Sequence, residues 1–288
     1  MIHELQITNI SAGAVSVHIL IELLANIGIA PERVIEKTVP KQGVCLSVFF
    51  EREGRLQEVL KKLRACHLKG IRIRQKTLRT EDWRDRWKKD LKPFKLTDRF
   101  DVVPAWSKSR KRSPREPLFL DTTLAFGTGL HETTRFMAYL IEWHKGPFKR
   151  FLDIGTGTGL LSVIAAKCGA KELWAVDIDP NSVVTAQENM KANHLEFDSV
   201  RSGDFRQIIL EGVFDYVAAN IITDELISMK DRIIGSVAPG GTLAVSGISL
   251  KNLERFRRSF KSRELVCRRI LRGKAWAAIL YKKKVSHA

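Results

Sequence analysis

Arg150-Phe151-Leu152-Asp153-Ile154-Gly155-Thr156-Gly157-Thr158-Gly159 decides the fold. An apolar run ends in an acid, three alternating glycines come next, and residues 158–168 then repeat apolar positions at helical spacing. That order predicts a strand, a tight turn and a helix, the opening unit of an α/β domain. Glycine lets the chain turn sharply and lets backbone approach a ligand at the helix entrance. The spacing is GxGxG, without the GxGxxG interval that supports a pyrophosphate. Outward from here, strands and helices alternate. Residues 172–177 lead into a helix over 180–193, and 200–203 is a short strand. Residues 214–219 precede a helix from about Thr223, and 241–246 precede one over about 250–260. Residues 264–271 and 274–281 read as a hairpin closed at Arg272-Gly273. The expectation is an α/β doubly wound sheet, mostly parallel, with an antiparallel C-terminal hairpin.

The residues at the strand ends carry the chemistry. Asp153 stands just before the first glycine, where a carboxylate meets the ammonium of a methionine moiety. Asp177 ends the next strand, where it accepts both ribose hydroxyls. With Gly155, Gly157 and Gly159 these acids predict a site for S-adenosylmethionine, and hence methyl transfer. Asp204 ends the third strand and is a candidate adenine contact, with an isolated surface acid as the alternative. Asn220 ends an apolar strand, which aims its amide into the crevice beside the cofactor, though it also suits a helix N-cap. Ile221-Ile222-Thr223 come directly after it, in place of the Pro-Pro-aromatic that stacks on planar amino groups, so a flexible amine is the expected acceptor.

Upstream, residues 124–134 place Phe126 before two glycines that flank Thr128, with a helix after them. This predicts a mobile lid whose aromatic excludes water, or else a helix-capping loop. His131 reads as a structural histidine at the helix entrance, with proton acceptance as the alternative. The cysteines Cys45, Cys66, Cys168 and Cys267 form no CxxC pair, so neither a metal site nor a disulfide framework is expected and a reducing cytoplasm fits. The longest apolar stretch, residues 19–30, is too short for a bilayer.

Residues 1–79 alternate in the order strand, helix, strand, strand, helix, strand, the split βαβ pattern of a ferredoxin-like α+β module. Residues 80–91 have helical spacing, and residues 107–117 (SKSRKRSPREP) read as a basic surface loop. Net charge is +17, and from residue 251 onward 13 bases face 2 acids. Such a surplus suits an RNA-rich or acidic partner, or simply a solvated surface.

Four segments together resemble the PrmA family, methyltransferases of the large-subunit ribosomal protein L-eleven. They are FGTGLHETT (126–134), DIGTGTGLLSVIAAKCGA (153–170), AVDIDPNSV (175–183) and AANI (218–221). EDWRDRWKKDLKPFKL (81–96) is similar to that family's interdomain helix. The resemblance implies three parts: a ferredoxin-like recognition domain over 1–79, a linker helix over 80–95 and a catalytic domain over 96–288. It implies S-adenosylmethionine as cofactor, with contacts at Thr134, Gly155, Asp177 and Asn220. It also implies repeated methylation, to trimethyl states, of lysine side chains and an α-amine. Asn220 is the expected orienting acceptor and Phe126 the expected water-excluding wall at the reacting amine. The ribosomal protein is met free or in assembly intermediates, with rRNA contact through the basic surface and no membrane. An rRNA methyltransferase, or an inactive cofactor-binding assembly factor, stays open as the alternative.

Overall fold

The computed structural model describes residues 2–9, 17–29, 34–39, 43–50, 53–66, 68, 70–78, 92–107, 113–121, 127–144 and 148–285. The chain divides into two compact units, Met1–Asp90 and Leu91–Ala288.

In the first unit β1 (Ile2–Asn9), α1 (Val17–Asn26), β2 (Val34–Val39), β3 (Gly43–Phe50), α2 (Glu53–Ala65) and β4 (Ile71–Leu78) succeed one another. The sheet runs β2-β3-β1-β4, antiparallel throughout, as the ferredoxin-like pattern requires. Period-2 alternation puts Leu5 and Ile7 of β1 opposite Val48 and Leu46 of β3, and all four join one core. The stripe Leu56, Val59, Leu60 and Leu63 of α2 closes that core at the i, i+3, i+4, i+7 spacing of an amphipathic helix.

The second unit opens with a small sheet, β5 (Phe94–Lys95), β6 (Phe100–Pro104) and β7 (Glu116–Leu120), in the order β5-β6-β7. Neither this sheet nor its parallel β6–β7 pairing is foreshadowed in the sequence. The expected loop over 107–117 ends early, because Glu116 and Pro117 already pair with Phe100 and Asp101. Arg115 donates to Asp101 across the sheet at 2.6 Å, and Arg99 pairs with Glu116. Phe94 and Lys95, expected at the end of the linker helix, are strand; residues 79–91 lie outside the described residues.

The large sheet comes next, with α3 (Glu132–Trp143), β8 (Arg150–Ile154), α4 (Leu160–Lys167), β9 (Glu172–Asp177), α5 (Pro180–Ala192) and β10 (Ser199–Ser202). Then come β11 (Phe214–Asn220), α6 (Thr223–Ser228), α7 (Lys230–Ser236), β12 (Val237–Ser249), α8 (Leu253–Ser259), β13 (Leu265–Arg272) and β14 (Trp276–Lys283). Its order is β10-β9-β8-β11-β12-β14-β13, parallel from β10 to β12 and antiparallel at β14 and β13. Alternation along each strand feeds two separate cores. Phe151, Tyr216, Ala218 and Leu280 pack with α3, α4 and α5, while Leu152, Val217, Ala219 and Ile279 pack with α6, α7 and α8. Each helix layer therefore buries one face of the inner strands, which have no wet side and read as near-continuous apolar runs. The edge strands β10 and β13 keep exposed residues. The strand order reverses between β8 and β11, so the crevice past their carboxyl ends is where such a fold holds a ligand.

Candidate active site

Four adjacent strands end at one cleft. β8 runs into Gly155, β9 ends at Asp177, β10 leads to Gly203 and Asp204, and β11 ends at Asn220. These residues line a cavity of about 400 Å³ whose remaining wall is largely apolar, with Ile154, Ile178, Phe205, Ile221 and Met229.

The glycine turn is held from both sides. The N–H groups of Gly155 and Thr156 donate to the carbonyl of Val176, and the Gly157 N–H donates to Asp177 Oδ2 at 2.8 Å. Gly155 has φ +73°, and a Cβ there would overlap the side chain of Ile221, so only glycine brings backbone this close to the cleft. The other carboxylate oxygen of Asp177 accepts from the Asp179 N–H at 3.0 Å. Burial raises the Asp177 pKa, and those N–H bonds only partly offset it.

Asp153 lies beneath the turn and is fully buried; it does not line the cleft. Its Oδ2 accepts from the Thr156 and Ser162 hydroxyls at 2.9 and 3.0 Å, and its Oδ1 has no partner among the described residues. Burial pushes its pKa up to about 6, opposed by the two hydroxyls and helped by the charge of Asp177. A buried carboxylate oxygen left unpaired is costly, so this one is suited to a cation arriving at the turn.

Asn220 lines the cleft, and its Oδ1 is buried with no hydrogen-bond partner among the described residues. Its Nδ2 faces Thr134 Oγ1 at 3.5 Å, which fixes the oxygen as the free end of the amide. Thr134 is itself buried in the first turn of α3 and supports Asn220 from behind, outside the cleft wall. Asp204 lines the cleft but is bound by Arg206. The Arg206 N–H and guanidinium hold its carboxyl below the usual range, and the guanidinium lies 3.0 and 3.1 Å from the two oxygens. Arg206 also reaches Glu225 at 2.6 Å and Ser228 at 2.7 Å, so it straps the ends of β10 and α6 together beside the cleft.

Phe126 lies outside the described residues, as does the expected lid up to that point. The chain from Gly127 to α3 is pinned: the Thr158 hydroxyl donates to the Gly127 carbonyl at 2.8 Å, and Arg135 Nε donates to the Gly129 carbonyl. His131 caps α3, with its Nδ1 accepting from the Thr133 N–H and its ring edge-on to Trp276 at 5.3 Å. It is not among the residues of the cleft.

Sequence reasoning missed three supports. Glu132 accepts from the backbone N–H groups of Lys274, Ala275 and Trp276 at 2.9, 3.2 and 3.1 Å, tying the α3 entrance to the hairpin turn. Asn189 of α5 bonds Asp121 and the Thr158 carbonyl, and Asn193 bonds both backbone groups of Phe119. An asparagine on an otherwise amphipathic helix gives no signal of this, except that two of them four apart share a face. Arg206, two residues beyond Asp204, carries no signal in the sequence.

The model of the family Ribosomal protein L11 methyltransferase (PrmA) matches residues 4–284. A ribosomal protein L11 methyltransferase of Pelobacter propionicus is 36% identical over 212 residues, covering 72% of this chain and 68% of that one. One of Listeria innocua is 29% identical over 256 residues, covering 85% and 82%. The solved ribosomal protein L11 methylase of Lactobacillus delbrueckii subsp. bulgaricus superposes with a TM-score of 0.61 at 26% identity, over 67% of this chain and all of that one.

Proposed function

Because this chain belongs to the ribosomal protein L11 methyltransferase (PrmA) family, we propose that it uses S-adenosylmethionine to methylate lysine side chains and the α-amine of L11, to trimethyl states. The observation that carries the reading is Asn220 Oδ1, a buried acceptor with no partner among the described residues, at the end of β11 in the cleft wall. An amine has the N–H donor that such an oxygen lacks.

The residues present fit the cofactor. Asp177 offers two carboxylate oxygens to a diol at the end of β9, each with lone pairs beyond those its backbone N–H partners use. Gly155 and Gly157 present backbone to the cleft where a methionine chain would lie, and Gly159 packs the turn against Ala186 of α5 outside the cleft wall. Asp153 below supplies the charge the ammonium favours. Ile178 and Phe205 form an apolar wall suited to a base, with Asp204 beside it. When bound, S-adenosylmethionine supplies a methyl on a positively charged sulfur.

The rest is alignment. An ordinary lysine, with pKa near 10.4, is mostly protonated at neutral pH. A cleft with a largely apolar wall favours the neutral amine. In the first two transfers Asn220 Oδ1 accepts an N–H from the unmethylated or monomethylated amine and turns its lone pair towards the methyl, while Thr134 keeps the amide from rotating. The neutral dimethylated amine has no N–H left, so the cleft wall alone positions it for the third. An amide is no base, so the proton leaves to solvent and rate comes from positioning and desolvation. Phe126, which precedes α3 in the sequence and lies outside the described residues, is the proposed water-excluding group.

L11 is met free or in assembly intermediates in the cytoplasm, with rRNA contacted through the basic surface. No helix among the described residues is long and apolar enough to cross a membrane. The test is Asn220→Ala beside Thr134→Val. We expect Asn220→Ala to lower kcat for L11 by roughly 10- to 100-fold, the worth of one directed hydrogen bond of about 1.4–2.7 kcal/mol. Cofactor affinity should change far less, and Thr134→Val should give a smaller loss of the same kind. Full activity of Asn220→Ala refutes the orienting role.

A further inference from the structure

From Lys251 onward the chain has 13 lysines and arginines against Glu254 and Glu264 alone. Arg255 pairs with Asp224, Arg257 with Glu254 and Lys283 with Glu264. Arg258, Lys261, Arg263 and Arg268 are exposed and have no acidic partner among the described residues. Elsewhere in the same unit Arg99, Arg115, Arg150, Arg201 and Arg206 each hold a carboxylate, while Arg135 and Arg232 hold backbone carbonyls.

These cations are also placed together. Arg258, Lys261 and the Arg257–Glu254 pair line a cleft of about 390 Å³ between the end of α8 and the hairpin, together with Leu265 and Tyr281. Arg263 lies in the turn that leads into β13, and Arg268 sits at the bulge of that strand beside Cys267. β13 is the outermost strand of the sheet, and Val266, Cys267 and Arg268 along it are exposed. Holding several unpaired like charges on one surface costs self-repulsion. A polyanion removes that cost, and it does so by releasing counterions from its phosphates.

We propose that α8, the turn after it and the edge strand β13 form a docking surface for the phosphodiester backbone of ribosomal RNA. It rests on the ribosomal-protein reading above, because assembling ribosomes are where that substrate and RNA occur together. The surface does not serve the methyl acceptor, since a lysine-bearing target is repelled by it. Docking concentrates the enzyme where its substrate is delivered and leaves the chemistry to the cleft at Asn220.

The experiment is filter binding of the full chain to deproteinised large-subunit rRNA across a salt series, with poly-glutamate as a second probe. The variant is Arg258→Glu/Lys261→Glu/Arg263→Glu, with its fold checked by circular dichroism. We expect rRNA affinity to drop at least tenfold near 0.1 M salt. The slope of log affinity against log salt should become shallower by about 2, since each phosphate contact contributes about 0.7–0.9. Methyl transfer to free L11 should stay unchanged. If charge reversal unfolds the chain, Arg258→Gln/Lys261→Gln/Arg263→Gln reads the same slope. Unchanged rRNA affinity and slope overturn the proposal, and so does a wild-type preference for poly-glutamate over rRNA. The parent reading fails separately, if the wild type transfers no methyl to L11 whether or not it binds RNA.

Discussion

At the scale of single residues, the site rests on acids and an amide at strand ends, where position alone gives them meaning. Asp177 and Asn220 are legible because an apolar strand ending in a polar residue puts that residue at the carboxyl edge of the sheet. The environment of Asp153 is not legible. Its place before the glycines suggests direct contact with the cofactor, yet it is fully buried beneath the turn, with one oxygen spent on Thr156 and Ser162. That burial has a measurable consequence. With its pKa pushed up to about 6, ionising Asp153 costs the fold stability as pH climbs from the ordinary carboxylate range through about 6. A cationic ammonium favours the ionised form, so affinity for S-adenosylhomocysteine should rise between about pH 5 and 7, with protons released on binding. Calorimetric titration across that range checks it, and Asp153→Asn should flatten the profile. Gly155→Ala is the steric counterpart. Its φ of +73° costs a β-carbon roughly 1–3 kcal/mol, and the Ile221 side chain occupies the space. Cofactor affinity should fall by more than tenfold, read in the same titration.

Among secondary-structure elements, the hairpin gains a role that its own sequence does not show. Arg272-Gly273 marks the turn, but the group that holds it is Glu132, at the start of α3. Local pattern cannot link positions so far apart in the chain. The three backbone N–H donors outweigh burial and hold the Glu132 carboxyl below its ordinary range. A carboxyl with a lowered folded pKa contributes stability that is present above its unfolded pKa and lost as pH falls through the folded one. Glu132→Gln should therefore cost roughly 1–3 kcal/mol near neutral pH and less in acid, measured by urea unfolding at two pH values. Amide exchange at residues 274–276 should speed up in the same variant. The small sheet β5-β6-β7 is hidden in the sequence for a different reason. Its strands are two and five residues long, broken by Pro104 and Pro117, and the ion pair of Arg115 with Asp101 that fastens it spans the basic run read as loop.

For the whole molecule, alternation of strand and helix predicts the doubly wound order, and the four-stranded first unit emerges from period-2 and period-3.6 spacing alone. Charge is the property that composition shows without locating. The fold locates it: Arg150 and Arg206 hold carboxylates, whereas Arg258, Lys261, Arg263 and Arg268, from the end of α8 into β13, are exposed with no acidic partner among the described residues. The central claim is that the cleft between β8 and β11 transfers methyl groups to amines of L11. Intact and peptide mass spectrometry of purified L11, incubated with the wild-type chain and isotopically labelled S-adenosylmethionine, tests it most directly. Successive labelled methyl increments are expected on lysine side chains and the α-amine, strongly reduced with Asn220→Ala. Label found in rRNA, or tight cofactor binding with unmodified L11, would contradict it.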